Sequence, residues 1–328
     1  MSLLLSSNRL TLASPAEPVL LVALLGFDPF DEPELAQRIE ACNALSAKWR
    51  VGPASAADLW IVNGAATQAL DSDVIEVTGD APLRFRPGDV ACPVAFTEPV
   101  AAALDARFRF DPASVPSLTV LLTRLAPWLS PRIAQQALVG HLIANGASFN
   151  RSTVIHVKDH SRLLAVMDFG GDTGVATDAT PAAIRRADWH LRPPNAGFVP
   201  PNFQRSSTED VLWRFATHAT ALELLPARYR RLEIHLRRVP TVSGGLLLPR
   251  QRRILDALAE GPLTFGELMP VALAAESQLR ADLGALYLIG GITCDPMRSL
   301  AMVQRRRNLK LAPDAGELSS PASLREAA

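Results

Sequence analysis

Along the first hundred positions the apolar residues fall into short unbroken runs separated by small or polar segments. Residues 19–25 are apolar throughout, the pattern of a strand buried on both faces of a parallel sheet. The next stretch changes period. Leu35, Ile39, Cys42 and Leu45 fall on one helical face, Asp31 stands where it can cap the helix, and Pro33 suits the first turn. A short segment at residues 49–51 follows, then a second buried strand at 59–62, a small helix at 65–70, and further strands at 74–77 and 93–96. Strands alternating with helices over so short a span predict a compact, mostly parallel α/β unit.

Residues 117–145 read as a helical stretch with a Leu-, Ile- and Val-rich stripe that includes Trp128, interrupted near Pro127 and Pro131. From Thr153 the period changes. Strands at 153–157 and 163–168 flank a polar turn, and Gly170, Gly171 and Asp172 lead into 175–177, which predicts an antiparallel sheet. Pro193, Pro194, Pro200 and Pro201 mark a draped loop, after which a helix returns at 207–225. Residues 249–260 form an amphipathic helix with Ile254, Leu255 and Leu258 inward and Gly261 as its stop. A second helix opens at Thr264. A third spans 276–289 with Leu279, Leu283 and Leu286 on its inner face, and Gly290 and Gly291 begin a hairpin. The tail from Pro313 is rich in Ser, Pro, Ala and Glu, a disordered composition. The organisation expected is an α/β domain over 1–110, a helical connector over 111–150, a central α+β domain over 151–240, a three-helix domain over 241–312 and a tail over 313–328.

Composition places this chain of 328 residues, 48% apolar and with zero formal net charge, among globular multi-domain proteins. The longest early apolar run, 19–27, is far shorter than the roughly 20 residues of a membrane span and is flanked by Glu17 and Asp28. It lacks the basic start of an export signal, so a cytoplasmic protein is expected. Cys42, Cys92 and Cys294 lie far apart without CxxC spacing, which implies neither a disulfide framework nor a cysteine zinc site. Charge is uneven along the chain. Residues 228–310 hold 14 basic and 7 acidic residues, leaving a matching negative excess elsewhere, and a basic module on an acidic body points to a nucleic-acid or acidic protein partner.

The C-terminal series, with Arg253, Ile254, Leu255, Leu268, Leu279, Leu283, Leu286 and Gly290 to Thr293, resembles the winged-helix family over about residues 248–304. The resemblance implies a third helix in the major groove and a wing on the DNA backbone. That would put Ser277, Gln278, Arg280 and Asp282 near bases, and Arg298, Arg305, Arg306 and Arg307 near phosphates. Many winged helices bind proteins instead. The N-terminal series resembles the receiver domain of response regulators over about residues 18–100. That family places magnesium-holding acids after the first strand, a phosphoacceptor aspartate after the third, Thr or Ser after the fourth and Lys-Pro after the fifth. Carried onto this chain, the acids are Asp28 or Asp31 and Thr78 fits, but the acceptor position is Asn63 and Lys-Pro reads Glu98-Pro99. Asparagine cannot form the acyl phosphate and glutamate would repel it, so the resemblance implies a degenerate receiver that docks partners.

Other chemistry is sparse. No GxSxG, HExxH, Walker or GxGxxG string occurs, and neither a cofactor nor a metal is expected. Asp168-Phe-Gly170 reads as a hairpin turn, and His156 with Asp159 and His160 falls on opposite sides of a turn. Trp189, Trp213 and Phe215, beside Arg186, Arg192 and Arg214, offer stacking surfaces for a base or form a satellite core. Arg86-Pro-Gly-Asp89 and Arg185-Arg-Ala-Asp188 resemble the cyclic-dinucleotide inhibitory motif of diguanylate-cyclase-like domains, which implies arginine on phosphate or guanine and aspartate on a guanine edge. The expectation is a non-catalytic bacterial regulatory or adaptor protein with a protein or DNA partner. The alternatives are a cyclic-dinucleotide effector and an enzyme whose site leaves no sequence signature.

Overall fold

The computed structural model describes residues 17–42, 44–70, 74–79, 82–100, 106–145, 151–219, 222–302 and 304. The tail from Pro313, and Arg305, Arg306 and Arg307, lie outside the described residues. β1 (Val19–Leu25) is an interior strand of a parallel sheet, with Leu20, Leu21, Val22 and Ala23 all buried. α1 (Glu32–Glu40) covers it with Leu35 and Ile39, carrying acids in its first turn and Arg38 in its last, the order its dipole favours. β2 (Lys48–Val51) and β3 (Leu59–Val62) pair in parallel with either side of β1.

β4 (Thr67–Ala69), β5 (Ile75–Val77) and β6 (Leu83–Phe85) then form a separate antiparallel meander, and the chain rejoins the parallel sheet as β7 (Val94–Thr97) and β8 (Arg109–Phe110). The parallel order is β2-β1-β3-β7-β8. Two expectations are corrected here. Residues 65–70 are a 3-10 turn followed by β4 instead of a helix, and residues 74–77 stand outside the parallel sheet. The reason lies in the period of β5. Ile75 and Val77 are buried while Glu76 between them pairs with Arg84 of β6, so the strand has one dry face and suits an antiparallel ribbon.

α2 (Val115–Ala144) is continuous over 30 residues, where the sequence predicts breaks at Pro127 and Pro131. Each proline removes one helical N–H bond, at the carbonyls of Thr123 and Pro127, at a cost of about 3 kcal/mol apiece. Burial of Leu118, Leu121, Leu122, Leu125 and Leu129 against the parallel sheet outweighs that, at about 1.5–3 kcal/mol for each leucine. Beyond the prolines the same helix buries Ala134, Leu138, Val139 and Leu142 in a second core.

That core belongs to the antiparallel sheet. β9 (Val154–Asp159), β10 (Arg162–Asp168) and β11 (Asp172–Ala176) are antiparallel strands, as the apolar runs around the polar turn predict. α3 (Pro181–Arg186) leads to β12 (Asp188–Arg192) beside β9, and β13 (Phe203–Ser207) lies beside β11. α4 (Thr208–His218) follows at once and stops at His218, short of the predicted Leu225. Trp213 and Phe215 are core residues, the Trp213 indole donating to the Leu246 carbonyl at 3.1 Å, so neither is presented to a base. Trp189 stacks on His141 at 4.3 Å.

β14 (His235–Leu236) precedes the three predicted helices α5 (Pro249–Glu260), α6 (Phe265–Ala272) and α7 (Glu276–Leu288), and β15 (Ile292–Thr293) follows them. β15 pairs antiparallel with β14, so the hairpin expected after Gly291 is corrected: the strand closes backward onto the segment before the helices. Arg237 and Arg238 both donate their backbone N–H to the Gly291 carbonyl, and Asp295 and Pro296 turn the chain away directly after β15. One apolar core runs without a break from the second half of α2 to Ile292.

Pro127 is exposed, and replacing it restores the donor for the Thr123 carbonyl. Pro127→Ala is expected to stabilise the chain by about 1–3 kcal/mol, after allowance for the freer unfolded chain, as read by urea denaturation.

Candidate functional site

Open sheets of this order place ligands at the carboxyl ends of their strands. Here that edge is closed. Asn63, after β3, donates its amide N–H to the Gly26 carbonyl at 3.0 Å and accepts from the Ala65 N–H at 3.1 Å. A Cβ on Gly64 would stand 2.1 Å from the Thr97 carbonyl and 2.5 Å from that of Pro99, so the loops after β3 and β7 touch backbone to backbone. Gly26 is left-handed, with φ of 75°. Asp28 accepts from the Phe30 N–H at 2.9 Å, whereas Asp31 makes no side-chain capping bond, a correction to its predicted role. Thr78 is corrected too. It follows β5 in the meander and donates to the Ala66 carbonyl at 3.0 Å, while Thr97 ends the fourth parallel strand and accepts from the Gly64 N–H at 3.2 Å. Glu98 therefore follows the fourth strand, not the fifth.

In the C-terminal unit Ser277 and Gln278 are exposed in the first turn of α7, and Arg280 pairs with Glu223 at 3.2 Å. Asp282 cannot face a base. It is 3% exposed and accepts from Arg250 Nε and Gln251 Nε2, both at 2.6 Å. Arg298 is exposed and paired with Asp295 at 3.3 Å. Arg185 lies in the last turn of α3 and Asp188 opens β12, both exposed, while Arg86 and Asp89 bracket an exposed turn. His156 lies 2.9 Å from the Ala196 carbonyl, His160 pairs with Asp159, and Asp168 accepts from the Gly170 N–H as a turn residue. Among the described residues no group of three or more His, Cys, Asp and Glu side chains is placed to hold a metal ion, and no helix is long and apolar enough to cross a membrane.

The polar chemistry gathers at the opposite, amino edge of the parallel sheet. Asp58, just before β3, has a side chain 1% exposed; its Oδ2 accepts from the Leu21 N–H at 3.1 Å. Arg214 and His218, one turn apart on α4, reach it at 3.5 Å each. His218 Nδ1 also stands 3.0 Å from the Val19 carbonyl and 3.1 Å from Gln136 Nε2, and Nε2 stands 3.3 Å from the Ala56 carbonyl. α2, α4 and the parallel sheet thus meet on a few buried polar groups.

A cavity of about 460 Å³ opens beside this junction. Asp58 and Arg214 line one side, Arg132 and Trp128 of α2 another, and Cys92 and Phe108 lie at the starts of β7 and β8. Burial and the Asp58 carboxylate push the Cys92 thiol up to about 12, which disfavours its thiolate at physiological pH. Burial, then neighbouring Arg214, lowers the pKa of Arg132. Pro87 and Gly88, from the Arg86 to Asp89 turn, also border the cavity.

No family model, curated protein or solved structure matches the chain. Arg214 was visible in the sequence only as a neighbour of Trp213; Asp58, Cys92, Arg132, Gln136 and His218 were missed. Their signal is a spacing of four. Arg132 with Gln136 on α2, and Arg214 with His218 on α4, each put two polar groups on one face of a largely apolar helix.

Burial holds His218 below the ordinary imidazole range, with Arg214 acting in the same sense and Asp58 and the Ala56 and Val19 carbonyls opposing. The unfolded chain therefore takes up a proton near pH 6.5 that the folded chain resists. Stability contributed by this group is complete above about pH 6.5 and falls as pH drops below it, by at most about 1.4 kcal/mol per unit. His141, also lowered by burial, acts with the same sign. The slope of unfolding free energy between about pH 6.5 and 5 is expected to flatten in His218→Gln, as read by denaturation at each pH.

Proposed function

We propose that the chain is a non-catalytic regulatory or adaptor protein that docks a protein partner at the carboxyl edge of a receiver-like parallel sheet. The observation that carries this reading is a closed crevice beside an exposed anchor. Asn63 and Gly64 close the place where such a sheet would do chemistry, and Phe30, on the loop leaving β1, stands 91% exposed next to Asp28 and Asp31. A large aromatic ring bordered by charge is the usual centre of a protein-docking patch.

The C-terminal unit fits the same reading as a winged-helix-like module that docks protein in preference to DNA. α7 is buried almost all round beyond Leu279, packed on α4 with Gly284 against Leu224, which leaves only its first turn to enter a groove. Arg280 is held by Glu223, and Asp282 points inward. Leu273, 78% exposed, and Met269 mark an apolar end of α6 suited to protein contact.

The test is affinity capture from a bacterial lysate by the full chain, with and without nuclease, comparing wild type and Phe30→Asp. The wild type is expected to retain a nuclease-resistant partner that Phe30→Asp loses, with the variant's stability unchanged within about 0.5 kcal/mol. Capture that disappears with nuclease, or a partner indifferent to Phe30→Asp, overturns the proposal.

A further inference from the structure

The cavity at the amino edge is short of negative charge. Arg214 brings one guanidinium, whose Nε is buried without a hydrogen-bond partner and whose Nη1 is 3.5 Å from Asp58. Asp58 is the carboxylate lining this cavity, and it is shared with the Leu21 N–H. Arg132 makes no hydrogen bond or ion pair with any described residue, and the carboxylates of Asp58 and Asp210 act on it only through space. A third cation, Arg107, stands at the rim over the Phe108 ring at 5.8 Å. Arg107, Arg132 and Arg214 line the cavity together with the Asp58 carboxylate, so its lining carries more guanidinium than carboxylate. Desolvated guanidiniums without acceptors are costly for a fold, and they are well shaped for a bidentate oxyanion.

The rest of the lining selects what carries the anion. Trp128 is 47% exposed and meets Phe108 edge to face at 5.6 Å, which leaves a ring face open. About 460 Å³ is within the range of small-molecule sites and exceeds what a bare oxyanion fills. We propose that this cavity binds a phosphate monoester carried on a planar ring, of nucleotide size, with the phosphate at Arg132 and Arg214 and the ring against Trp128. Three guanidiniums, Arg107, Arg132 and Arg214, set against the Asp58 carboxylate match a dianionic monoester better than a carboxylate or a phosphodiester, each of which carries one charge per group. This site lies at the opposite end of the sheet from the docking edge and does not rest on the partner reading.

The experiment is isothermal titration calorimetry on the full chain with guanosine 5′-monophosphate, inorganic phosphate, guanosine and cyclic di-GMP. The monophosphate is expected to give saturable heat, phosphate weaker heat, and guanosine none. Arg132→Met keeps the aliphatic stem and removes the charge. It is expected to weaken monophosphate binding roughly 10- to 100-fold and to melt no lower than wild type, since it removes a desolvated cation beside another. Trp128→Ala is expected to weaken the monophosphate and leave inorganic phosphate unchanged. The proposal is overturned by an absence of saturable monophosphate binding in the wild type, by Arg132→Met binding as wild type does, or by a lower melting temperature for Arg132→Met, which would make Arg132 a structural cation. Binding of cyclic di-GMP without the monophosphate overturns the monoester assignment.

Discussion

Because α2 passes unbroken from the leucine face under the parallel sheet to the alanine-rich face under the antiparallel one, neither core can settle independently of the other. A helix of this length spans about 45 Å, and its two prolines sit where one core hands over to the next. Arg132 and Gln136 emerge just past that point, on a segment held from both sides by buried apolar residues. The site at the amino edge is therefore positioned by rigid packing. Its cations are held where they stand by leucines and alanines, whatever the electrostatic cost.

α4 is the second fixed part, and the two buried carboxylates that meet it are treated differently. At its start Glu209 accepts from Arg151 at 3.2 Å, from the Thr241 N–H at 2.8 Å and from the Thr241 hydroxyl at 2.9 Å, with Arg238 at 2.6 Å. That charge is fully supplied, and Arg238 in turn donates to the Ile289 carbonyl at the end of α7, which ties the central sheet to the C-terminal unit. At the far end of α4, Asp58 receives one hydrogen bond of ordinary length and two contacts at 3.5 Å. A buried carboxylate that is well bonded acts as a structural staple, whereas one that is loosely bonded beside surplus arginines leaves room for another acceptor.

What the sequence made legible followed from the period of its apolar residues. β1, β3 and β7 were readable because a strand buried on both faces leaves an unbroken apolar run, and β9 and β10 because two apolar runs flank a polar turn. The failures have local causes. Ile75 and Val77 alternate with Glu76, a period-two signal set aside in favour of a continuing parallel series. Pro127 and Pro131 do weaken a helix, but local propensity lost to the summed burial of the residues around them. The pairing of β14 with β15 joins segments separated by three helices, which no local pattern encodes. The candidate cavity was least legible, since Asp58, Cys92, Arg132 and Arg214 come from four separate stretches of chain and only the fold brings them to one place.

The two ends of the parallel sheet therefore differ in how they are packed. At the carboxyl edge, backbone packing of Gly64 on Thr97 and Pro99 fills the volume that a ligand would need. At the amino edge the loops before β3, β7 and β8 stand apart and leave a cavity faced by charge. Arg214 makes this edge consequential, because the same guanidinium faces both the cavity and Asp58, and α4 carries it between the sheet and α7. An anion that draws on Arg214 must alter the electrostatic balance of Asp58 and, through it, of His218 one turn along. Anion binding and proton binding at His218 are then linked in both directions, since any change that the anion makes to imidazole affinity for a proton is returned equally as a pH dependence of anion affinity.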